Sequence, residues 1–312
     1  MADVLISEFM DKGVAEELIS DFDVHWDPDL WSKRDELLER VGTATAIVVR
    51  NATQVNPELL DAAPKLKVVA RMGVGLDNID VEACKARGVE VCPSIGANAV
   101  SVAEYVIASA MILLRGPAYY ATPDVAAGAW DRPRFAGAAE IAGRTMGIVG
   151  FGSIGQVVGA KARAMGMDVI AYDAMMPDDH AAWSDAQRVT LDDLVAEADV
   201  ISLHCPKLPE TIDLIDARQF GRMKPEAVLV NSARGGIVNE AACAEALRTG
   251  QIGGAALDTL DVEPIQPEVG RMFQGIENLI LTPHIAGVTR ESNRRIAEVA
   301  AENVRRVMGA AG

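Results

Sequence analysis

Short runs of apolar residues alternate along the chain with longer stretches in which apolar positions recur every three or four residues. Ahead of residue 95 the apolar runs are ADVLI, TAIVVR, LKVVA and VEVC. Strands of a parallel sheet are covered on both faces, so they occur as continuous apolar runs separated by helices. The pattern therefore predicts parallel α/β units.

The alternation starts again after Arg144, where further strand candidates follow: TMGIVG, MDVIAYD, DVISLH, AVLVNSA, GAALD and LILTP. An apolar helix, predicted over residues 97–114 with Asn98 or Ser101 as its cap, lies between the two series. A last helix is predicted over residues 290–308, and we expect it to return to the first domain. The fold class expected is α/β, with two parallel-sheet domains.

Length and charge narrow the classes of function. A chain of 312 residues exceeds the size at which one core stops growing, which supports two domains. Lys and Arg number 29 against 45 Asp and Glu, a net charge of −16 that disfavours nucleic acid and membrane surfaces as partners. A small anionic substrate is still compatible, because local arginines and backbone amides can reverse the potential within one site.

The four cysteines are widely spaced and form no C-x-x-C pair, so no disulfide framework or thiolate metal site is expected. This cysteine usage fits a reducing cytoplasm. The acidic N-terminus lacks the pattern of a signal peptide, and the apolar run over 105–114 is too short to span a bilayer. We therefore expect a cytoplasmic protein without a bound metal.

A glycine-rich segment marks a candidate cofactor site. Its residues are Gly150, Phe151, Gly152, Ser153, Ile154 and Gly155, which follow a predicted strand and open a predicted helix. Such a turn lets a pyrophosphate approach the backbone amides, although by itself it is equally compatible with an ordinary tight turn. Asp173 follows Gly155 by 173 − 155 = 18 residues, close to the spacing of about 20 at which a carboxylate meets the adenosine ribose. NAD is predicted rather than NADP, since neither Ala174 nor Met175 could hold a 2′-phosphate.

Several motifs together resemble one family. They are VGFGSIGQ, SLHCP, NSARGGIVNE, ALDTLDVEP and TPHIAG, with RMGVGLDNID and NAVSVAE before them. Over nearly the whole chain the sequence resembles the D-isomer-specific 2-hydroxyacid dehydrogenases, and their D-3-phosphoglycerate dehydrogenase branch in particular. LISEFMD and VRNATQV are also similar to bacterial sulfolactate dehydrogenases of that family.

The resemblance implies a flavodoxin-like and an NAD-binding Rossmann-like domain with a cleft between them. A discontinuous substrate-binding domain would comprise residues 1–98 and 288–312, and the NAD-binding domain residues 99–287. It also implies a homodimer, with the segment 117–136 as a candidate arm carrying Trp130 and Phe135.

Hydride transfer at C2 of a hydroxy acid needs a base for the hydroxyl proton and a clamp for the carboxylate. His284 fits the base, because imidazole exchanges protons near neutrality. Glu263 would orient that ring and favour its protonated form, and Arg234 offers a planar donor fork for the carboxylate. Taken singly, a histidine such as His284 is more often a packing or surface residue, Arg234 is compatible with a turn, and Glu263 with the end of a loop. Their order behind the glycine motif favours catalysis.

The resemblance assigns further residues to the two ligands. On the cofactor side these are His204, Cys205, Pro206, Thr211, Ser232, Ala233, Asp258 and Gly287, with Asp258 near the nicotinamide. On the substrate side Met72, Gly73, Val74 and Gly75 would form a carboxylate-binding loop, for which a tight turn is the alternative. Independently of the resemblance, Arg50 and Arg71 stand at the carboxyl ends of neighbouring predicted strands, the edge where open α/β sheets bind ligands. They would recognise a second anionic group, unless they are ordinary surface cations. Met72 stands where the phosphoglycerate branch has a small residue, which argues against phosphoglycerate itself.

Two other classes share parts of this pattern. An NADH-sensing scaffold similar to the corepressors of this fold would use the same cofactor site without turnover, but the chain has no long polar tail. A formate dehydrogenase would carry Gln where Glu263 stands. The favoured hypothesis is an NAD-dependent dehydrogenase acting on a small anionic 2-hydroxy or 2-keto acid.

Overall fold

The computed structural model describes residues 2–309, apart from the side chains of residues 117 and 118, and divides into two compact units. One unit takes the described residues up to Asn98 and those from Val288 onward. The other is Ala99–Gly287.

Within the described residues the regular elements are twelve strands and twelve α-helices. The strands are β1 (Val4–Ile6), β2 (Val24–Trp26), β3 (Ala46–Val49), β4 (Val68–Arg71), β5 (Glu90–Pro93), β6 (Thr145–Val149), β7 (Asp168–Tyr172), β8 (Gln187–Arg188), β9 (Val200–Leu203), β10 (Val228–Asn231), β11 (Gly254–Leu257) and β12 (Leu279–Leu281). The helices are α1 (Lys12–Asp21), α2 (Arg34–Val41), α3 (Pro57–Ala62), α4 (Val81–Ala86), α5 (Ala99–Arg115), α6 (Thr122–Ala126), α7 (Ser153–Ala164), α8 (Leu191–Glu197), α9 (Ala217–Phe220), α10 (Glu240–Arg248), α11 (Pro267–Gly270) and α12 (Arg290–Met308).

The first unit is built on a parallel sheet in the order β2-β1-β3-β4-β5, which is the flavodoxin-like order. Helix α12 has the bounds predicted from its periodicity, and Thr289 caps it by accepting a hydrogen bond from the Ser292 N–H at 3.0 Å. Its buried positions Ile296, Ala300 and Val304 pack with strand residues in the core of this unit. The last helix therefore belongs to the first unit.

The second unit has a parallel sheet in the order β12-β11-β10-β9-β6-β7-β8. The chain leaves β6 towards β7 and β8 on one side and then crosses to β9 on the other, as in a Rossmann fold. Helix α5 packs Val106, Ala110 and Leu113 into a core shared with Met146 and Ile148 of β6. It begins two residues later than predicted and ends at Arg115. The two parallel sheets confirm the predicted fold class.

The apolar pattern did not predict two strands, β2 and β8, and the reason is the same for both. Strand β2 lies at one edge of the first sheet and each of its residues is only partly buried, so it lacks a continuous apolar run. Strand β8 is an edge strand of the second sheet with two exposed residues. Edge strands are not covered on both faces, and their sequences therefore carry a weaker apolar signal.

A buried carboxylate shapes the turn after β3. Glu8 is 6% exposed, and its two oxygens accept hydrogen bonds of 2.7 to 3.0 Å from the backbone N–H groups of residues 50–53. Burial opposes ionisation, but these donors outweigh it and leave the pKa of Glu8 below its ordinary value. Asn78 completes the turn by donating to the carbonyls of Arg50 and Thr53.

Glu8→Gln should destabilise the protein by about 2–4 kcal/mol at neutral pH, because an amide repels half of the N–H donors and each hydrogen bond to a charge is worth about 1.5–3 kcal/mol. The lowered pKa sets the sign of the pH dependence: the contribution is fully present above the ordinary value of 4.5 and is lost as the pH falls through the folded-state pKa. Urea denaturation of wild type and variant from pH 7 to pH 3 measures it. Glu39→Gln, at an exposed position of α2, is the control. A difference independent of pH would contradict this account.

Candidate active site

The register of the second sheet places distant parts of the sequence at one edge. Across four neighbouring pairs, the last residues of the strands lie opposite one another: Val149, Leu203, Asn231, Leu257 and Leu281. The residues that follow therefore emerge at the same edge: Gly150, His204, Ser232, Asp258 and Thr282. In open parallel sheets ligands bind outside this carboxyl edge.

At each of the three motif glycines a Cβ atom would have different surroundings. Gly150 has φ 89°, and a Cβ there would lie 2.7 Å from the backbone nitrogen of Cys205. A Cβ on Gly155 would lie 2.3 Å from the carbonyl oxygen of Gly150. A Cβ on Gly152 would have no protein atom within 4 Å, so this glycine faces open space beside the first turn of α7. Ser153 and Ile154 begin that helix, whose first amides have no side-chain cap, and this cradle fits the pyrophosphate of NAD.

Asp173 ties the glycine turn to the turn that follows β7. Its Oδ2 accepts the Phe151 N–H at 2.8 Å, and its Oδ1 accepts those of Met175 and Met176 at 2.8 and 2.9 Å. A carboxylate has about four acceptor positions, so Asp173 retains capacity for one further donor, such as a ribose hydroxyl. The spacing of Asp173 from the glycine motif does not predict that this side chain also builds the cradle.

His204 and Cys205 form a neutral wall at the sheet edge. His204 Nε2 lies 2.8 Å from the Ser202 hydroxyl, and burial lowers the pKa of His204 to about 3. Burial raises the pKa of the Cys205 thiol to about 11. Both groups are therefore uncharged at neutral pH, and neither is poised for acid–base or nucleophilic chemistry.

The remaining residues predicted on the cofactor side lie in loops at this edge. The Thr211 hydroxyl contacts the carbonyl of Pro206 at 2.7 Å and accepts the Leu208 N–H, which folds the loop after β9 on itself. Ala233 is buried in the turn after β10, and its N–H donates to Asn231 Oδ1 at 3.1 Å. Ser232 lies between Asn231 and Ala233 in the sequence. Gly287 is the last residue of the second unit.

The structure brings Glu263 and His284 together across 21 positions of sequence. Glu263 Oε2 lies 2.8 Å from His284 Nδ1, and Oε1 accepts the Leu260 N–H at 3.0 Å. Burial would raise the pKa of Glu263, but its hydrogen bonds with His284 and Leu260 and the charge of Arg234 hold it below the ordinary value. Both side chains are partly exposed, at 39% and 41%. His284 Nε2 makes no hydrogen bond with any described residue, so it is open to a substrate.

Arg234 lies in the turn after β10, where its backbone carbonyl accepts the Asn231 Nδ2–H at 3.0 Å. Its Nη1 donates to the Ala233 carbonyl at 2.7 Å. This anchoring holds a guanidinium close enough to Glu263 to lower the pKa of that carboxyl. The planar fork suits a carboxylate or a polarised carbonyl.

His284 has a left-handed backbone with φ 56°, an uncommon conformation for a residue with a side chain. Its N–H donates to the Asp258 carbonyl at 2.8 Å. The Asp258 carboxylate accepts the N–H groups of Ile285 and Ala286, each at 2.8 Å, and the Thr282 hydroxyl at 2.5 Å. Asp258 therefore clamps the loop on both sides of the histidine. The family resemblance predicts Asp258 as a cofactor residue, whereas Thr282 was not predicted. Its one visible signal in the sequence is its position at the end of an apolar run before His284.

The arginines predicted to select the substrate lie in the first unit. Arg50 Nη2 donates to Asn293 Oδ1 at 3.0 Å, and its Cζ lies 6.0 Å from the centre of the Phe9 ring. Burial lowers the pKa of Arg50, and the charge of Glu8 opposes that shift. Arg71 is 7% exposed and its Nη2 donates to Asn51 Oδ1 at 2.8 Å. Neither Phe9 nor Asn293 was predicted from the sequence.

The Met72 side chain lies in the core, and the glycine loop follows it in the sequence. The Met72 side chain is 3% exposed and packs in the core of the first unit, while its carbonyl accepts a hydrogen bond from Arg71 Nη1. Its bulk therefore does not occupy the loop surface, which removes the steric argument against phosphoglycerate. Gly73, Val74 and Gly75 continue from it as an irregular segment.

Two features are absent from the described residues 2–309. No group of three or more His, Cys, Asp or Glu side chains in this part of the chain could hold a metal ion. Nor does any helix there combine the length and apolar character needed to cross a membrane.

Known proteins match this chain over most of its length. A sequence model of the D-isomer specific 2-hydroxyacid dehydrogenase NAD binding domain matches residues 107–286. The (S)-sulfolactate dehydrogenase of Chromohalobacter salexigens is 46% identical over 310 residues, covering 99% of each chain. The D-3-phosphoglycerate dehydrogenase of Mycobacterium leprae is 42% identical over 306 residues, 97% of this chain and 56% of that one. The crystal structure of the TT0316 protein from Thermus thermophilus has a TM-score of 0.87 at 33% identity, covering 98% of this chain and 96% of that chain.

The chain belongs to the D-isomer specific 2-hydroxyacid dehydrogenase family. The predictions of an NAD-dependent 2-hydroxyacid dehydrogenase and of NAD as its cofactor are confirmed. None of the relatives named above is a corepressor, so the scaffold hypothesis gains no support from them. The chain spans about half the length of the mycobacterial relative.

Gly152→Ala should weaken NAD binding without loss of stability, because its Cβ meets no protein atom but enters the space beside the unpaired amides of α7. We expect the Kd for NAD to rise at least about tenfold, or 1.4 kcal/mol, in a calorimetric titration. Gly137→Ala, which also places a Cβ in open space, is the matched control. Gly155→Ala should instead lower the melting temperature, since its Cβ meets the Gly150 backbone. Wild-type NAD affinity in the first variant would contradict the cradle.

Proposed function

We propose that this enzyme transfers hydride between NAD and C2 of a small 2-hydroxy acid that carries a second acidic group, with His284 as acid and base. The observation that carries the proposal is the 2.8 Å pairing of His284 Nδ1 with Glu263, which leaves Nε2 available on a side chain that is 41% exposed. The first unit is proposed to bind the substrate, and the second to bind NAD.

In the oxidative direction His284 Nε2 removes the proton of the C2 hydroxyl as the C2–H bond breaks. Glu263 holds the Nδ1–H, stabilises the imidazolium that forms and keeps the ring in one tautomer. Arg234 binds the substrate carboxylate and polarises the C2 oxygen for the reverse reaction. When bound, NAD takes up the hydride that leaves C2 or, as NADH, supplies it.

The cofactor's adenosine half is assigned to the glycine cradle and Asp173. The amides around Gly152 bind the pyrophosphate, and the remaining acceptor position of Asp173 binds a ribose hydroxyl. A carboxylate there repels a 2′-phosphate, so NAD is preferred to NADP. His204, Cys205, Thr211 and Ser232 shape the uncharged wall beside this ligand.

The first unit supports a substrate with two anionic groups. The backbone amides of Val74 and Gly75 are proposed to bind the carboxylate, and Arg50 and Arg71 the second anion. The Gly73 N–H already donates to the Arg71 carbonyl at 2.9 Å. Arg50 is held by Asn293 and Phe9, so its guanidinium is positioned in advance. Sulfolactate and phosphoglycerate each carry such a second group, and the names of the two curated relatives above contain these two acids.

Assembly and location are part of the proposal. The segment 117–136 exposes Tyr119, Val125 and Trp130 at 57%, 47% and 78%, which suits burial against a second copy in a homodimer. All four cysteines are free thiols, as expected for a cytoplasmic protein. The charge of −16 argues against nucleic acid and anionic membranes as partners.

His284→Ala should lower kcat by a factor of about 10²–10⁴, the usual contribution of general acid–base catalysis, while the Kd for NAD is unchanged. NADH absorbance with a panel of sulfolactate, phosphoglycerate, glycerate and lactate measures it and ranks the substrates. No turnover of any acid by the unmodified protein would favour the scaffold hypothesis, and near-native turnover by the variant would remove His284 from the mechanism.

Arg50→Gln should raise the KM for sulfolactate and phosphoglycerate by about tenfold, the loss of one net charge-assisted hydrogen bond, and leave lactate unaffected. Arg50→Lys should recover part of the affinity because it keeps the charge. Arg40→Gln, at a surface arginine of α2, is the matched control. An equal effect on lactate would show that Arg50 does not select the second anion.

A further inference from the structure

Tyr105 lies on α5 and reaches the loop that carries His284. Its hydroxyl is 2.7 Å from Thr282 Oγ1, which in turn lies 2.5 Å from Asp258 Oδ1. A threonine hydroxyl has one proton, and the carboxylate of Asp258 accepts it. Thr282 Oγ1 is then an acceptor on its other side, so Tyr105 must be the donor.

The chain of hydrogen bonds from Tyr105 through Thr282 ends at Asp258, whose carboxylate holds the loop that carries His284. Oδ1 of Asp258 accepts both Thr282 and the Ile285 N–H, while Oδ2 accepts the Ala286 N–H. The position of Thr282 therefore determines where Oδ1 can lie, and Oδ1 determines where the amide after His284 can lie. The left-handed φ of 56° at His284 persists because these contacts hold it.

The surroundings make the hydroxyl contacts strong. Asp258 is 2% exposed, and the Tyr105 ring packs against the core of the second unit. A hydrogen bond is stronger in such a medium, and a missing partner costs more than it would in water. Burial raises the pKa of Tyr105 above its ordinary value, so the phenol keeps its proton as a donor.

We propose that Tyr105 is a positioning residue for hydride transfer, acting through Thr282 and Asp258 to hold His284 in its reactive orientation. The inference rests on the proposed acid–base role of His284. Among the described residues no hydrogen bond joins Tyr105 to Glu263 or to the His284 ring, so we expect it to act through the backbone of the loop.

Tyr105→Phe tests the proposal, because it removes the hydroxyl and keeps the ring in the core. With sulfolactate as the probe, we expect the single-turnover rate of NADH formation to fall about three- to tenfold, the worth of one net hydrogen bond. The KM for sulfolactate and the Kd for NAD should stay within twofold of wild type. Ser20→Ala, which removes a hydroxyl from an exposed position of α1, is the control and should change nothing.

Variants of Thr282 separate positioning from packing. Thr282→Val should slow turnover as Tyr105→Phe does, whereas Thr282→Ser keeps the hydroxyl and should retain the wild-type rate. If the two hydroxyls act as one chain, the double variant Tyr105→Phe/Thr282→Val should be little slower than either single variant. Multiplicative losses would show that they act independently and would overturn the proposal.

A readout independent of turnover separates this inference from the proposed function. Hydrogen exchange of the backbone amides of Ile285 and Ala286 should quicken in Tyr105→Phe and not in Ser20→Ala. Faster exchange with unchanged turnover, while His284→Ala is inactive, would overturn the link to catalysis alone. Unchanged exchange would overturn the positioning role itself. If no acid is turned over by the wild type, the proposed function and the link to catalysis fall, and exchange still decides the positioning role.

Discussion

The shared register of the strand ends in the second sheet is the constraint on which the chemistry depends. Parallel strands all emerge at one edge, and five of them stop at the same level. Residues as far apart in sequence as Gly150 and Thr282 thereby become neighbours along one edge. A slip of one position in any strand would turn these residues to the opposite face and disperse them.

Carboxylates at strand ends, two buried and one partly buried, organise the loops of both units. Glu8, Asp173 and Asp258 each follow a strand, and each accepts hydrogen bonds from backbone amides of a different loop. Glu263 differs, because it lies on a loop and pairs with an ionisable ring. Three carboxylates thus build the framework and one serves the proposed chemistry. Part of the acidic composition of the chain therefore serves to hold loops in place. It does not prevent cationic side chains from binding a substrate.

Much of the fold was predictable because its signals are local. The apolar runs marked ten strands within two or three residues of their observed ends, and the amphipathic period gave helix α12 its bounds. The failures have physical reasons: β2 and β8 are edge strands without a continuous apolar run. Met72 shows the limit for the site, since its sequence position beside a glycine loop suggested contact with ligand, while its side chain packs in the core.

The sequence by itself determined the succession of elements, the glycine turn and the set of ionisable residues that could take part in hydride transfer, since these depend on spacing along the chain. Tertiary structure alone decided which carboxylate meets which partner: Glu263 the His284 ring, Asp258 the amides beside it, and Glu8 the turn after β3. The role of Tyr105 also depends on tertiary structure, because no local sequence pattern relates α5 to the loop after β12. Pairing between residues distant in sequence follows from strand register and helix packing, which no local periodicity encodes.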